Sequence, residues 1–427
     1  MTTEDLTTRK RIPIDGIKRG MFVVSLDRSW IETPFLFHRQ LIKSDADIEM
    51  LKRHGIREVE IDTARGVDLE VDNDSLETSE SRVASPSEGA LARSAQAARK
   101  PSEAELAFRT LAKELSAAQS IHAEAIGAAK AIFEGARADA PVRRAAANEI
   151  VQTLDASILR SPETSLLLVH MRRFDQDLFT HAVNVCVLSL VVNAGEELGA
   201  DPTSLGLGAL LHDIGEIRLP RNLTRKREEF TETELRLVER HPEFSGELLS
   251  KGEFPDKVRR IALEHHERVD GSGFPQRIME DAIAFDSQVV AIADMYDDMM
   301  SGRNQAALPP IEVMPALFLQ GNAGALKRSL VEKVIRCLGV YPIGSLVELS
   351  GGERAIVVAA NKKDALRPTV RIVTSRMGFM HKHGPVVSLA DEKSADIERR
   401  IVNALDPRKE RIDPMAYLKL APSIGRK

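Results

Sequence analysis

The sequence predicts a mainly α protein: a helical core preceded by a small α/β module and followed by a small β appendage. Three observations predict it. Apolar residues recur at helical spacing from Leu106 to Leu338. Short β-like runs separated by turns occupy Arg11 to Asp62. Runs with strand propensity, punctuated by Gly, Asn and Pro, return after Val340. At 427 residues the chain exceeds one typical domain, so two or three folding units are expected. The divisions fall at 9–64, 65–102, 103–339 and 340–427.

In the first segment, strand-like runs cover Ile12 to Ile17, Met21 to Leu26, Phe35 to Ile42 and Glu58 to Ile61. One helix lies between the last two. Ser44 is placed to cap it with Asp47 three residues on, Ile48 and Leu51 share a face, and Gly55 is placed to stop it. Residues 65–102 are rich in Asp, Glu, Ser, Ala and Arg and contain no aromatic residue, a composition that buries too little apolar surface to offset ordering entropy. A flexible linker is expected there. Helical periodicity then runs through Leu106, Leu111, Leu115, Ile121 and Ile126, and on through Ile150, Leu154 and Ile158. Further helices are expected at Phe179 to Leu198, Thr203 to Ile214, Thr231 to Glu239, Glu243 to Leu249, Lys257 to Glu267, Ser287 to Met300 and Leu326 to Leu338. Strands are expected at Leu346 to Leu349, Ala355 to Ala359 and Thr369 to Val373. No fixed-period repeat points to a solenoid.

Composition narrows the function. The chain is 43% hydrophobic and 29% charged, and its net charge of −5 gives no general attraction to polymeric nucleic acid or anionic lipid. The two cysteines, Cys186 and Cys337, lie in or near apolar helical runs, which excludes a disulfide framework and fits a reducing compartment. Met1 to Lys10 is polar, and the apolar stretch Ala182 to Val192 is short and interrupted by Asn184, so neither a signal region nor a membrane span is expected. A soluble, cytoplasmic protein follows as the expectation.

Of eleven histidines, five lie between His181 and His266, each at or near a carboxylate or another histidine. Imidazole with carboxylate is the donor set expected for Fe, Mn or Zn. His212-Asp213 and His265-His266 are adjacent pairs that two helices could turn toward one cavity, with His181, His241 and Asp294 supplied by others. Seven donors exceed the needs of one ion. A shared carboxylate, for which Asp213 is the natural choice, would hold two ions about 3.5–4 Å apart and supply a hydroxide for attack on phosphorus.

The run His212-Asp213-Ile214-Gly215, then Leu219-Pro220, His241-Pro242, His265-His266-Glu267, Asp270-Gly271-Ser272-Gly273-Phe274-Pro275 and Ala291-Ile292-Ala293-Asp294, resembles the HD-GYP domain in order and spacing. The resemblance covers about Phe179 to Gly339. It implies an all-helical HD-type metal phosphohydrolase that hydrolyses cyclic di-GMP to linear pGpG or GMP, using two or three divalent ions, Fe or Mn. By position it implies His212 and Asp213 as catalytic residues. His181, His212, Asp213, His241, His265, His266 and Asp294 are the implied metal ligands, with Asp177 as an additional candidate one helical turn before His181. Arg303, Phe274, Gly273 and residue 216 are the implied substrate contacts. The front segment, with Ile12-Pro13-Ile14, Gly20-Met21-Phe22-Val23-Val24 and the run from Ser29 to Phe35, is similar to a small domain of unknown function that often precedes HD-GYP domains.

Three positions depart from the pattern. Phe274 replaces the motif tyrosine and keeps the ring. Ala306 stands where a basic residue is expected. Glu216 stands where the family has a lysine, a reversal worth about 5 kcal/mol at about 6 Å from a phosphate charge in an effective dielectric near 20. Two compensations are open: Glu216 pairs with a nearby base such as Arg218, or it coordinates a metal. The departures leave two functions open, an enzyme and a metal- and dinucleotide-binding receptor or scaffold for other signalling proteins.

The remaining candidates have plainer readings. His38, His54, His122 and His170 read as surface or satisfied core residues, and His381 and His383 as an exposed loop. Glu264, Glu267 and Asp270 could orient imidazole rings through their second nitrogen, Asp270 equally serving a turn. Asp297 is expected to support the ligands and Asp298 to be solvated. The helices before His181 leave a homodimer open.

Overall fold

Alternation of apolar and polar residues organises the first unit. The computed structural model describes residues 9–26, 40–42, 45–53, 56–63, 102–171, 177–224, 229–303, 307–308, 310–391, 399–407 and 409–419. The chain divides into two units, Met1–Pro101 with Ile424–Lys427, and Ser102–Ser423. In the first, β1 (Arg9–Pro13), β2 (Phe22–Leu26), β3 (Gln40–Leu41) and β4 (Glu58–Asp62) form an antiparallel sheet in the order β1-β4-β2-β3, with α1 (Asp45–Arg53) between β3 and β4. Val59 and Ile61 turn inward with Ile12, Met21, Val23, Ile42 and Leu51 to make its core. The expected strand Ile12 to Ile17 is cut short. A 3-10 turn at Ile14–Gly16 replaces its second half, directly after a proline that has no N–H for a ladder. The expected strand from Phe35 survives only as Gln40–Leu41 among the described residues; Ser44, Gly55, His38, His54 and the linker before Ser102 lie outside them.

The second unit opens with α2 (Glu103–Arg137). Ser102 and Glu105 form a reciprocal capping box, Glu105 N donating to Ser102 Oγ at 3.2 Å and Ser102 N to Glu105 Oε2 at 2.9 Å. Then follow α3 (Arg144–Arg160), α4 (Pro162–Met171), α5 (Leu178–Gly195), α6 (Pro202–Leu211), a 3-10 turn at Ile214–Arg218, α7 (Arg221–Thr224), α8 (Glu232–Val238), α9 (His241–Lys251), α10 (Asp256–Glu264), α11 (Phe285–Ser301), α12 (Pro310–Ala323) and α13 (Arg328–Leu338). Helix α5 is apolar on every face because it is central. It is buried from Thr180 to Asn193 and packs against α2, α3, α6 and α11. By length and composition α5 could cross a membrane, but here its apolar surface is the core of the bundle.

Among the described residues, the short α7, a short helix at Pro414–Leu418 and two longer helices, α4 and α12, escaped the sequence reading. In α4 the run Leu166 to Val169 is buried on all sides and shows no 3.6-residue period, while α12 contains Pro315, which reads as a breaker.

The chain ends in a sheet of β5 (Leu346–Leu349), β6 (Arg354–Ala359), β7 (Thr369–Ile372), β8 (Val386–Ser388) and β9 (Ile401–Leu405), antiparallel in the order β8-β7-β6-β5-β9, followed by α14 (Pro414–Leu418). This is the sheet expected after Val340, and it lies in the same unit, Ser102–Ser423, as the helices. Arg371 of β7 is fully buried, its guanidinium 4.7 Å from the Phe108 ring of α2, and it donates to the carbonyls of Tyr417 and Lys382. His170 of α4 bonds the Ile343 carbonyl at 3.1 Å through Nδ1 and the Tyr296 hydroxyl at 2.8 Å through Nε2. It is thus the satisfied core histidine expected. Cys186 and Cys337 are both buried free thiols.

Candidate metal centre

Five helices deliver the donors. His181 lies in the first turn of α5, His212 and Asp213 directly follow α6, His241 opens α9, His265 and His266 follow α10, and Asp294, Asp297 and Asp298 lie along α11. The turn after Asp213 must pass very close to α9. Gly215 N donates to Ser245 Oγ at 2.8 Å, and a Cβ on Gly215 would run into the His241 carbonyl and the Ser245 backbone. Only glycine permits this approach, which holds Asp213 beside His241.

The ring nitrogens are assigned by their surroundings. Nδ1 of His212, His241 and His265 each donates to the carbonyl three residues back: Ala209 at 2.7 Å, Val238 at 2.7 Å and Ala262 at 2.9 Å. Their Nε2 lone pairs therefore point inward together. His181 Nδ1 donates to Asp297 Oδ2 at 2.8 Å, and Asp297 Oδ1 is held in turn by Asn184 Nδ2 at 2.9 Å. The inward nitrogens crowd one another, with His181 Nε2 3.3 Å from His212 Nε2 and His241 Nε2 3.2 Å from His265 Nε2. Such a pair shares one proton at most, or a cation.

Asp213 joins the two halves. Its Oδ1 faces His241 Nε2 at 3.1 Å and His265 Nε2 at 3.3 Å, while Oδ2 faces His212 Nε2 at 3.6 Å and His181 Nε2 at 3.7 Å. With neutral imidazoles the buried Oδ1 receives no hydrogen bond. Asp294 Oδ1 closes the second half, 3.1 Å from His181 Nε2 and 3.7 Å from His212 Nε2. Three groups of donors converge closely enough to hold an ion: Asp213 with His241, His265 and His266; His181 with His212 and Asp213; and His181 with Asp294 and Asp298.

Charge makes the same demand. Asp213, Asp294, Asp297 and Asp298 are buried and Glu216 nearly so, and among the described residues the guanidinium that pairs directly with them is that of Arg303. Burial lowers the pKa of His265 to about 4 despite Asp213, and burial with the neighbouring His265 and His241 holds that of His266 well below the ordinary range. Both rings are neutral donors at pH 7. Burial opposes ionisation of Asp213 and Asp294, but His212 and Arg303 beside the first, and His181 and His212 beside the second, hold both carboxyls well below the usual range. The set is an anionic, imidazole-rich cage suited to divalent cations.

Residues 179–320 match the HD domain family, and residues 9–147 match a domain of unknown function, DUF3391, across the boundary expected at 64. A cyclic di-GMP phosphodiesterase of Pseudomonas aeruginosa is 30% identical over 374 residues, 86% of this chain and 85% of that protein. The chain belongs to the HD-GYP family. More local likenesses are to the cyclic di-GMP phosphodiesterase response regulator RpfG of Xanthomonas campestris, 40% identical over 99 residues (23% of this chain, 26% of that protein), and to a cyclic di-GMP phosphodiesterase of Thermotoga maritima, 33% identical over 152 residues (34% and 41%).

Set on the HD-GYP pattern, the structure gathers His181, His212, Asp213, His241, His265, His266 and Asp294 into one centre and leaves Asp177 out. Asp177 is exposed and caps α5, accepting from Phe179 N, Thr180 N and Thr180 Oγ1 at 3.1, 3.0 and 2.6 Å. Asp298, expected to be solvated, is instead buried, with a carboxylate oxygen close to His181 and Asp294. No periodicity marks the difference, since Asp297 and Asp298 both follow Asp294 by about one turn.

The loop residues also resolve. Glu267 holds the Gly273–Phe274 loop rather than an imidazole, accepting from Gln276 N at 2.7 Å and Arg277 N at 3.1 Å. Glu264 accepts from Ala284 N and Ser287 Oγ, and Asp270 from Ser272, so neither orients a ligand ring. Gly273 is required by packing, because a Cβ there would meet the backbone of His266 to Arg268. Phe274 stacks on His266, centroids 4.5 Å apart at 26°, which does not need the missing hydroxyl.

Glu216 does not pair with Arg218, which bonds Glu247. It lies in the 3-10 turn, not on a continued α6, and accepts from Arg303 Nη2 at 2.6 Å, while Arg303 Nη1 donates to Asp213 Oδ2 at 2.9 Å. Position 306 lies outside the described residues. His381 and His383 are exposed, as expected.

Proposed function

We propose that the protein is a divalent-metal phosphodiesterase that hydrolyses cyclic di-GMP to linear pGpG and GMP in bacterial second-messenger signalling. The single observation that carries the reading is Asp213, whose two carboxylate oxygens face two separate sets of imidazole nitrogens. Asp213, His241, His265 and His266 would hold one ion and His181, His212, Asp213 and Asp294 a second, Fe or Mn; His181, Asp294 and Asp298 are the donors available to a third. Bound there, the ions supply an ionised water at neutral pH and neutralise charge on the phosphoryl oxygens.

The chain's own residues do the rest. Backbone carbonyls behind His212, His241 and His265, and Asp297 behind His181, fix the rings so that no reorganisation is needed during reaction. Phe274 covers His266, and Arg303 presents the guanidinium that a phosphate would meet beside Asp213. Incubation of Mn- or Fe-loaded protein with cyclic di-GMP under reducing conditions, followed by separation of the nucleotides, is expected to yield linear product. His212→Ala with Asp213→Ala should abolish both metal retention and turnover. Absence of product from metal-replete protein would remove the enzyme reading.

A second reading has one observation in its favour. The Arg303 guanidinium is engaged by Asp213 and Glu216, which reduces the net positive charge offered to a phosphate. Tight binding of cyclic di-GMP without product would identify a receptor of the same fold.

A further inference from the structure

Glu216 has a partner that the sequence does not reveal. Glu216 follows Asp213 on the 3-10 turn, its N–H donating to the Asp213 carbonyl at 3.0 Å. Arg303 arrives from another element: α11 ends at Gly302, whose left-handed conformation (φ 72°) turns the chain back toward the centre. The guanidinium then spans Glu216 and Asp213 at 2.6 and 2.9 Å, with 8% of its side chain exposed. Two carboxylates on fixed backbone thus grip two separate nitrogens of one planar fork, which sets position and orientation together.

We propose that Glu216 is a positioning residue that holds Arg303 over Asp213, where the guanidinium faces the substrate phosphate. This rests on the phosphodiesterase reading. A lysine at 216 would remove the carboxylate that grips Arg303 Nη2 and set a second cation beside it.

Kinetics on Mn-loaded full-length protein test this role. Glu216→Gln and Glu216→Lys are each expected to raise KM for cyclic di-GMP by about tenfold while kcat changes less than about threefold, as for an interaction made equally in ground and transition states. In an Arg303→Gln background, Glu216→Gln should change KM no further. Glu216→Lys matching or improving on the wild-type KM would overturn the proposal, as would Glu216→Gln raising KM equally with and without Arg303.

A second readout needs no turnover. Titration of metal-stripped protein with Mn(II) by calorimetry should show the effects of Glu216→Gln and Arg303→Gln on affinity to be non-additive in the double variant. Additivity would show that the two side chains act separately. Lack of cyclic di-GMP cleavage by the wild type with non-additive manganese affinities would instead remove the substrate reading and leave the pairing intact. Circular-dichroism melts confirm that each variant is folded.

Discussion

Four of the five imidazoles of the centre have their second nitrogen held, and the holders differ in kind. For His212, His241 and His265 the acceptor is a backbone carbonyl that no substitution removes; for His181 it is the Asp297 side chain. Asp297→Asn keeps the shape and removes the charge, and should weaken metal affinity about 10- to 100-fold without unfolding the protein, read by calorimetric titration of metal-stripped protein. His265 sets an acid limit. Its pKa of about 4 lies below the ordinary value of about 6.5, so the unfolded chain binds the proton first. Between about pH 6.5 and about 4 this residue makes stability fall as pH falls, and it makes no contribution to the slope above that window. Urea unfolding of metal-stripped protein should show a shallower loss across this interval in His265→Gln than in wild type. His181 carries the opposite sign: burial and Arg303 act against its proton, but Asp294, Asp297 and Asp298 raise its pKa well above 6.5, so its contribution is present at low pH and is lost only as pH rises through that raised value.

At the scale of elements, the centre depends on how tightly the turn after α6 meets α9. Gly215→Ala would force the 3-10 turn off the His241 carbonyl and part Asp213 from its imidazoles. The expected cost is about 1–3 kcal/mol in urea unfolding, together with reduced metal content of purified protein. A normal metal content in that variant would mean that the turn can shift without moving Asp213. Sequence reading found α5, α6, α10 and α11 as helical stretches of apolar residues. It carried α6 on to Ile214 because an apolar residue continues the pattern; the chain instead tightens to a 3-10 turn between two close-packed helices. The third donor group was equally hidden: Asp177 and Asp298 are both one turn from a ligand, and only the capping of α5 assigns Asp177 elsewhere.

Across the whole molecule, the C-terminal sheet and the metal-bearing helices form one unit, while the N-terminal sheet has a core of its own. Arg371 ties the two parts of the larger unit, stacking on Phe108 and serving the Tyr417 and Lys382 carbonyls. Arg371→Met leaves those carbonyls without that donor and should destabilise the unit by about 1–3 kcal/mol. The loss should appear in the same unfolding transition that releases bound metal, followed by circular dichroism and a chromogenic chelator. If the sheet melted separately while the metal stayed bound, the two parts would not be cooperative.

The sequence by itself determined the helical class, the first sheet and the seven donors gathered at the centre, because hydrophobic period and ligand chemistry are local and survive in one dimension. What only the tertiary structure decided was which neighbours those residues meet. Asp298 rather than Asp177 joins the cluster, Glu216 finds Arg303 rather than Arg218, and the sheet after Val340 packs on α2. Each outcome turns on elements far apart in the chain brought within a few ångströms, and neither spacing nor composition records such distances.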